Sequence, residues 1–449
     1  MNTLPVGWTA TSIADIATFN PKTTADDGLA AAFAPMQDLG TRYRDRMTFE
    51  QRTWGEIKKA YVHFQPRDVI MAKVTPCFEN GKAGVAPELP NGIGAGSSEF
   101  CIFRPAQGVD ERYLLAWLST EDFRRRATVA MTGSVGLKRV PKDVFLSEKI
   151  LLAPENEQRR IADKLDTVLA RVDAVNERLA RVALLLKRLR QSVLAAATSG
   201  RLTQDWRSDG APFNGYAIKP LSVVANSRLG KMLDKQKNTG IETPYLRNIN
   251  VRWFDFDLTD LQSLRIEMSE RDALEIRDGD LLICEGGEPG RCAIWRNGPT
   301  NIVFQKALHR VRVDAKQLLP EWLAYVLKSS CESGALASLF TGTTIKHLTG
   351  IALAQVPVPL PPLDEQTEIV RRVELLFAYA DRLEARLRAA HTAAERLTPA
   401  LLAKAFRGEL VPQDPNDEPA AQLLQRLQAS QATAAPQRRK ARAAPVVQD

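Results

Sequence analysis

The sequence is poor in the residues that build disulfides and metal sites. Its 449 residues include five cysteines and four histidines, and no two cysteines form a Cys-x-x-Cys pair. The histidines show no metal-ligand spacing with the cysteines, so a structural zinc site is not expected. The pattern favours reduced, mostly buried thiols, as in cytosolic proteins. The cysteines are Cys77, Cys101, Cys284, Cys292 and Cys331.

The chain also lacks long apolar runs. No stretch approaches the ~18 consecutive apolar residues of a membrane-spanning helix. The first residues do not combine the charged and apolar segments of a secretory signal. We therefore expect a cytoplasmic location, without membrane insertion or export. Charge is moderately basic, with 61 Lys and Arg against 53 Asp and Glu, which is compatible with a polyanionic partner.

Sequence motifs of catalysis are missing as well. The chain contains no GxxxxGK[ST] phosphate loop, no GxGxxG motif, no HExxH zinc motif and no GxSxG nucleophile motif. The Asn/Asp-Pro-Pro-aromatic tetrapeptide of amino-methyltransferases is also absent. The missing motifs therefore favour a protein that reads a ligand over a catalyst, and no bound metal or cofactor is expected.

What the sequence does contain is a long internal repeat. Residues 154–202 recur 208 positions later without a gap, and 15 of these 49 positions are identical. Each copy begins with Pro-x-x-Glu-Gln, at Pro154 and Pro362, and ends with Ala-x-x-Gly-x-Leu, at Leu202 and Leu410. Such a repeat predicts two copies of one structural unit.

Both copies carry apolar residues at alternating steps of four and three, which is the heptad pattern of a coiled coil. We predict two long helices, within residues 153–205 and 361–411, that pack as an antiparallel coiled coil. Pro399 should kink or break the second helix near Thr398. The helix seam consists of Ile161, Leu165, Val172, Leu179 and Leu186 in the first copy and Ile369, Val373, Leu383, Leu387 and Leu397 in the second.

Outside the two copies the pattern changes to short runs of β-branched and aromatic residues broken by Gly, Pro and Asn. This predicts two mixed α/β globules, residues 1–152 and 206–360. The order of elements in the first globule recurs weakly in the second, where residues 280–283 occupy the position that residues 68–71 occupy in the first. The predicted fold class is therefore α+β, with two mixed α/β globules separated by two long helices in a pseudo-twofold internal repeat.

The last 38 residues, 412–449, differ in composition from the rest. They begin with a proline-rich link, continue with a short amphipathic segment from Ala420 to Gln428, and end in an Ala/Gln/Arg tail. We expect a linker, a short helix and a disordered tail. The basic residues 438–440 are either a solvated terminus or a nucleic-acid contact.

The globules carry polar and basic loops of the kind that read nucleic acids. Arg, Lys and Asn suit the edges of guanine and adenine, whereas Ser, Thr and backbone N–H groups suit phosphates. The alternative for each residue is a surface charge with a local partner. The candidate DNA-binding residues are Lys73, Thr75, Asn80, Lys82, Lys138 and Arg139 in the first globule and Arg247, Asn248, Asn250, Arg252, Arg291, Lys346 and His347 in the second.

Several motifs together resemble a known family. They are the opening Leu-Pro-Val-Gly-Trp at residues 4–8, the duplicated helix starts and ends, and the two dissimilar globules between them. The chain is similar in these respects, over residues 1 to about 414, to the DNA specificity subunit of Type I restriction-modification systems. The alanine-rich second seam and Pro399 depart from a straight coiled coil.

The resemblance implies a non-catalytic subunit in a larger complex. Its two target recognition domains would each read one half of a split sequence in double-stranded DNA. Its helices would dock modification subunits, expected to be two, which carry S-adenosylmethionine and methylate adenine. Restriction subunits, also up to two, would add DNA cleavage with ATP and magnesium.

Two other classes of function stay open from the residues alone. One is a self-contained DNA methyltransferase or nuclease with a divergent active site, and the other is a coiled-coil scaffold that binds proteins. The missing catalytic motifs disfavour the first, and the donor-rich basic loops disfavour the second. The sequence therefore predicts a DNA reader, while the bases that it reads stay undetermined.

Overall fold

The computed structural model describes residues 4–207, 213–234 and 238–434. The chain divides into unit 1, formed by Met1–Leu179 and Ala390–Asp449, and unit 2, formed by Ala180–Ala389. Within the described ranges no helix has the length and apolar character needed to cross a membrane. The predicted disordered tail and its basic residues 438–440 lie outside the described residues.

The first globule, in unit 1, alternates short strands and short helices. Its strands are β1 (Thr9–Ser12), β2 (Ala17–Phe19), β3 (Ala30–Ala34), β4 (Glu50–Thr53), β5 (Val62–Phe64), β6 (Val69–Ala72), β7 (Ala83–Val85), β8 (Gly94–Gly96), β9 (Phe100–Pro105), β10 (Thr132–Ser134), β11 (Leu137–Arg139) and β12 (Lys149–Leu152). Its helices are α1 (Ile13–Ile16), α2 (Trp54–Ile57), α3 (Glu111–Leu118), α4 (Glu121–Val129) and α5 (Lys142–Ser147).

Two four-stranded sheets form the centre of this globule. Their strand orders are β2-β9-β6-β7 and β4-β3-β8-β5, while β1 pairs with β12 and β10 with β11. Strand β6 is buried along its whole length, as its uninterrupted apolar sequence requires. At its start the Asp68 carboxylate accepts two hydrogen bonds from the Arg104 guanidinium, at 2.8 and 2.7 Å. The buried charge is therefore paired by a residue of the neighbouring strand β9.

The first long helix, α6, runs from Glu155 to Thr198 without interruption. It begins directly after Pro154, whose carbonyl accepts the N–H of Gln158 at 2.9 Å. Two residues after its end, Gly200 adopts the left-handed conformation with φ 75°. Glycine reaches this conformation at no steric cost, and the left-handed residue stops the helix.

The second globule, in unit 2, has a closely similar list of elements. Its strands are β13 (Ala217–Pro220), β14 (Ala225–Leu229), β15 (Ile241–Leu246), β16 (Val251–Arg252), β17 (Asp255–Phe256), β18 (Gln262–Ile266), β19 (Leu281–Cys284), β20 (Cys292–Ile294), β21 (Val303–Phe304), β22 (Leu308–Val313) and β23 (Pro357–Leu360). Its helices are α7 (Leu221–Val224), α8 (Met268–Leu274), α9 (Pro320–Ser333) and α10 (Gly350–Ala354).

One sheet of the second globule repeats the strand order of a sheet in the first, whereas the other has three strands, in the order β18-β15-β21, instead of four. Its four-stranded sheet has the order β14-β22-β19-β20, and β13 pairs with β23 as β1 pairs with β12. The ion pair recurs too, because Asp280 accepts from Arg312 at 2.6 and 3.0 Å at the start of β19. The predicted internal repeat, in which residues 280–283 answer residues 68–71, is thus confirmed.

The second long helix is interrupted. It consists of α11 (Leu363–Glu395) and α12 (Leu397–Ala405). Pro399 has no N–H to donate to the carbonyl of Glu395, and its ring would clash with that carbonyl. The break falls at Arg396, two residues before the predicted position. Pro399 then occupies the first turn of α12, where N–H groups have no acceptor within the helix.

The two long helices pack in opposite directions within unit 2. Arg190 of α6 pairs with Asp381 at 2.6 Å and with Glu384 at 3.3 Å. Fifteen residues further along the chain, Asp205 pairs with Arg372 of α11 at 2.6 Å. As the residue numbers increase along α6 and the residues that follow it, the residue numbers of their partners on α11 decrease. The two segments therefore run antiparallel.

The seam residues differ in how well they are covered. Ile161, Leu165 and Val172 are buried in the core of unit 1, and Ile369 and Val373 are buried in that of unit 2. The remaining seam positions of the intact helices are one buried leucine, Leu186, and three half-buried ones, Leu179, Leu383 and Leu387.

Leu397 departs from the predicted seam because it is exposed. At the break Arg396 has a ψ of −14°, which departs from the α-helical value of about −42° and so rotates the turn that follows. Leu402 and Ala405 of α12 take the buried positions in unit 1 instead. The named seam residues before the break are therefore buried or half-buried, whereas Leu397 after it is not.

The glutamate of each Pro-x-x-Glu-Gln motif binds an aromatic residue that directly precedes the first strand of a globule. Glu157 accepts the indole N–H of Trp8 at 3.0 Å, and Glu365 accepts the phenol of Tyr216 at 2.9 Å. Trp8 and Tyr216 are themselves 208 positions apart. Burial raises the pKa of Glu157 above its ordinary value. The start of each long helix is thus fixed to the first strand of its own globule.

The short helix predicted at residues 420–428 is present as α13 (Ala420–Ala434). Leu423 and Leu427 on one face of α13 are buried in the core of unit 1. The backbone N–H of Ala420 donates to the carbonyl of Gly7 at 2.8 Å. Near the beginning and the end of the described chain, residues 7 and 420 are therefore hydrogen-bonded in the same unit.

Candidate nucleic-acid interface

In unit 1 the loop after β6 is joined to the hairpin formed by β10 and β11. The N–H of Thr75 donates to the carbonyl of Lys138 at 3.0 Å, and the N–H of Lys138 donates back to the Thr75 hydroxyl at 3.0 Å. The N–H of Val140 donates to the carbonyl of Lys73 at 2.9 Å. These bonds bring four of the six candidate positions of the first globule, Lys73, Thr75, Lys138 and Arg139, into one place.

Arg139 does not present a free charge there. Its guanidinium makes a bidentate contact with the Glu99 carboxylate, at 2.6 to 3.1 Å. The hydrogen bonds from Arg139 lower the pKa of Glu99. Lys73 is held in a similar way, because its ammonium donates to the carbonyl of Ser98 at 2.8 Å. Arg139 and Lys73 therefore anchor the hairpin to the segment before β9.

The other candidates of the first globule fall into two groups. Lys82 is half-buried and donates to the carbonyl of Met36 at 2.8 Å, which is a structural contact. Asn80 and Lys138 are exposed. The Lys138 ammonium has no hydrogen-bond acceptor or ion-pair partner among the described residues, so its charge is available to an external anion.

Unit 2 contains the equivalent pair of loops. The N–H of Leu348 donates to the carbonyl of Glu285 at 2.7 Å, which corresponds to the bond from Val140 to Lys73 in unit 1. Thr341 and His347 exchange two backbone hydrogen bonds, at 2.9 and 2.8 Å, and thereby close the 341–347 loop. His347 also forms a bridge with Gly286. The loop after β19 and the 341–347 loop thus meet as their counterparts do.

Three further candidates of the second globule surround this loop pair. The Arg291 guanidinium donates to the carbonyl of Asn248 at 2.9 Å and to the Glu288 carboxylate at 2.9 Å. Glu288 also accepts the indole N–H of Trp253 at 2.6 Å. Arg252 is exposed and lies 3.3 Å from Asp257. Both arginines are paired, but the Arg291 side chain is 16% exposed and the Arg252 side chain 51% exposed.

Arg247 and Asn250 have structural contacts instead. The Arg247 guanidinium donates to Asp260 at 2.6 Å. Asn250 is buried, and its amide donates to the carbonyls of Asp257 and Asp260 at 2.9 and 3.1 Å. Lys346 and His347 are exposed at the second loop. The Lys346 side chain has no hydrogen bond or ion pair within the described ranges, like Lys138.

The residues that hold the loops belong to no sequence motif. Glu99 and Glu288 are single acidic residues in polar segments, and Trp253 belongs to no motif. Their contacts join residues 40 and 35 positions apart, Arg139 with Glu99 and Trp253 with Glu288. Such pairs are set by the folded sheet, so pattern reading could not find them.

Nothing in the described part of the chain points to metal or thiol chemistry. No group of three or more His, Cys, Asp and Glu residues is placed there to hold a metal ion. The thiols of Cys284 and Cys331 lie in unit 2 near the loop after β19. Burial raises the pKa of each to about 11, which keeps both thiols protonated near neutral pH.

Comparison with known proteins indicates the same class of protein. A family described as Type I restriction modification DNA specificity domain matches residues 214–390. The EcoBI specificity subunit of Escherichia coli is 33% identical over 328 residues, 68% of this chain and 69% of that protein. The EcoKI specificity subunit of E. coli K12 is 29% identical over 382 residues, 82% of each chain. A chain of a solved type I R-M system matches 91% of this chain and 99% of its own length, with TM-score 0.69 and 18% identity.

The fold and the two loop sites define a class of protein, a two-domain reader built on a pair of long helices. The likeness to the solved chain shows the same fold, and the likeness to EcoBI shows the family. The chain belongs to the family of Type I restriction enzyme specificity subunits.

Proposed function

We propose that the chain reads a bipartite sequence in double-stranded DNA, one half with each globule. The two target recognition domains are residues 1–152 and 206–360. Residues 153–205 and 361–411 form the helical connection, and residues 412–449 are a linker, a short helix and a tail. The chain itself supplies recognition and no catalysis.

The observation that carries this proposal is the duplicated loop pair. Each globule places a hydrogen-bonded loop pair after the same strand of the same sheet, and each pair presents one exposed lysine, Lys138 or Lys346. Lysine and backbone N–H groups contact phosphates or guanine, and duplicated sites suit two half-sites. The net charge of +8 favours association with a polyanion.

The same proposal includes the partners. Modification subunits, two per complex, bind S-adenosylmethionine and methylate adenine in the target. Restriction subunits, up to two, add cleavage with ATP and magnesium. The complex acts in the cytoplasm, where bacterial DNA lies. Leu184 and Leu185 of α6 support docking of a protein partner, because they are half-exposed apolar side chains on a long helix.

The test is methylation by the reconstituted complex. The chain alone should not transfer methyl groups, and the chain with its modification subunit should methylate adenine in one bipartite motif, identified by methylome sequencing. Methyl transfer by the chain alone would support a self-contained enzyme. No DNA binding in either case would support a scaffold.

Variants of the two exposed lysines refine this test. Lys138→Ala should weaken binding of the complex to its target by about 1–3 kcal/mol if the lysine pairs with a base. A loss of equal size on every sequence, with a shallower salt dependence, would indicate a phosphate contact. Lys59→Ala is the control, because Lys59 is also exposed in the first globule but lies before β5. Lys346→Ala should act on the other half-site.

A further inference from the structure

Both loops expose a branched apolar side chain beside the lysine. Val135 at the turn of the β10–β11 hairpin is 99% exposed, and Ile345 in the 341–347 loop is 62% exposed. Lys138 and Lys346 follow within three residues. The two-residue turn is Val135-Gly136, with φ 83° at the glycine. The positive φ falls on the glycine, so the first turn position accepts valine without backbone strain and exposes its side chain.

The apolar tips are held by rigid contacts. In unit 1 strand β11 of the hairpin is fixed by the hydrogen bonds between Thr75 and Lys138 and by the Arg139–Glu99 ion pair. In unit 2 the loop is closed by two hydrogen bonds between Thr341 and His347. A loop that is anchored at its base presents its tip with little loss of conformational freedom on binding.

The chemistry of these tips matches the major groove of DNA. The groove admits a two-stranded β-ribbon, and its floor carries thymine methyl groups beside the O6 and N7 acceptors of guanine. An apolar tip with a lysine nearby complements that combination of groups. A hydroxyl also lies at each tip, on Ser134 and Thr344, and suits a phosphate oxygen.

We propose that the β10–β11 hairpin and the 341–347 loop enter the major groove and that Val135 and Ile345 contact the 5-methyl groups of thymines, one in each half-site. This assignment rests on the proposed function and deepens it, since it names two specificity-determining side chains. Lys138 and Lys346 lie beside these contacts and bind guanine or phosphate.

The experiment couples a change in the protein to a change in the DNA. The complex with the modification subunit is titrated with a duplex that carries the motif found by methylome sequencing. Each thymine of the motif is replaced in turn by deoxyuridine, which lacks only the 5-methyl group. In the wild-type complex one such replacement per half-site should weaken binding about fourfold, the effect of one apolar methyl contact.

The protein variants then assign each methyl group. Val135→Ala should abolish the deoxyuridine effect in one half-site and leave the other unchanged, and Ile345→Ala should do the reverse. The protein substitution and the deoxyuridine replacement remove the same contact, so the second change has no further effect. The matched controls are Val129→Ala and Ile351→Ala, which make the same substitutions at residues that are each 84% exposed outside the loops. Both controls should retain the full effect in both half-sites.

The outcomes separate this assignment from the function on which it rests. A wild-type complex that binds the motif no better than a scrambled duplex overturns the proposed function and this assignment with it. Specific binding with unchanged deoxyuridine effects in Val135→Ala and Ile345→Ala overturns the assignment alone. Loss of the modification subunit from either variant also overturns it, because the tip would then contact protein.

Discussion

The side-chain carbonyl of Gln158 accepts the backbone N–H of Asp110, the residue that caps α3, at 3.0 Å. The Gln158 amide donates to the carbonyl of Ala153 at 2.8 Å. The repeat preserves this relationship, because Gln366 accepts the N–H of Leu319 at 2.9 Å, directly before α9. The glutamine of each repeated motif therefore joins a long helix to the main helix of its own globule.

Gln158→Ala should destabilise unit 1 locally. The substitution leaves the Asp110 N–H and the Ala153 carbonyl without their partner, at a cost of about 1–3 kcal/mol in unfolding free energy. Hydrogen exchange should accelerate in α3 and stay unchanged in α9, and Gln366→Ala should show the opposite pattern. Gln425→Ala, at an exposed position of α13, is the control. Equal acceleration in both helices would argue against two independent joints.

Glu99→Gln should loosen the hairpin of unit 1 and affect one half-site only. The neutral amide cannot form the bidentate ion pair that holds Arg139, so the hairpin keeps its fold but loses one anchor. The variant should discriminate less well than the wild type between the target and duplexes altered in one half of the motif. In the other half its discrimination should equal that of the wild type. The measurement is a binding titration with single-base variants of the target.

The Arg139–Glu99 ion pair should make the stability of the protein depend on pH, in a direction that the pKa shift of Glu99 defines. Because Arg139 lowers the pKa of Glu99, the folded pKa lies below the unfolded value of about 4.3. The stabilisation that the ionised Glu99 carboxylate provides is fully present above the unfolded pKa and is lost as pH falls through the folded pKa. Thermal unfolding of the wild type and Glu99→Gln should therefore differ at pH 7 and converge in acid. A difference that persists at pH 2 would contradict this account.

Replacement of residues 1–152 by the matching segment of a relative should change one half of the methylated motif. The long helices connect the globules, while the loops that differ between relatives would meet the bases. Methylome sequencing of cells that carry the hybrid is the measurement, with the parent chain in the same host as control. A motif altered in both halves would contradict independent reading.

Substitutions in three adjacent leucines of α6 should distinguish an effect on partner docking from an effect on folding. Leu184 and Leu185 are half-exposed and Leu186 is buried. Leu185→Ser should change the unfolding free energy by less than about 0.5 kcal/mol, as surface substitutions do, yet weaken binding to the modification subunit. Leu186→Ala should lower stability by about 2–5 kcal/mol through cavity formation. Unchanged assembly of Leu185→Ser would show that the partner docks elsewhere.

The sequence by itself determined the repeat, the two long helices and their end signals. Periodicity of apolar residues reports the buried face of a helix directly, so Ile161, Leu165 and Ile369 could be placed before any fold was known. The left-handed glycines at 200 and 408 and the break before Pro399 follow from backbone sterics, which act locally. The fold class predicted on this basis is confirmed.

Only the tertiary structure decided which polar residues are available for binding. Lys82, Arg247 and Asn250 look like donors in the sequence, yet each is engaged by a carbonyl or carboxylate of its own globule. Lys138 and Lys346 look no different and are exposed. The partner lies 46 residues away for Lys82, 13 for Arg247, and 7 and 10 for Asn250. These contacts depend on how the folded chain places the partner, so no local pattern encodes them.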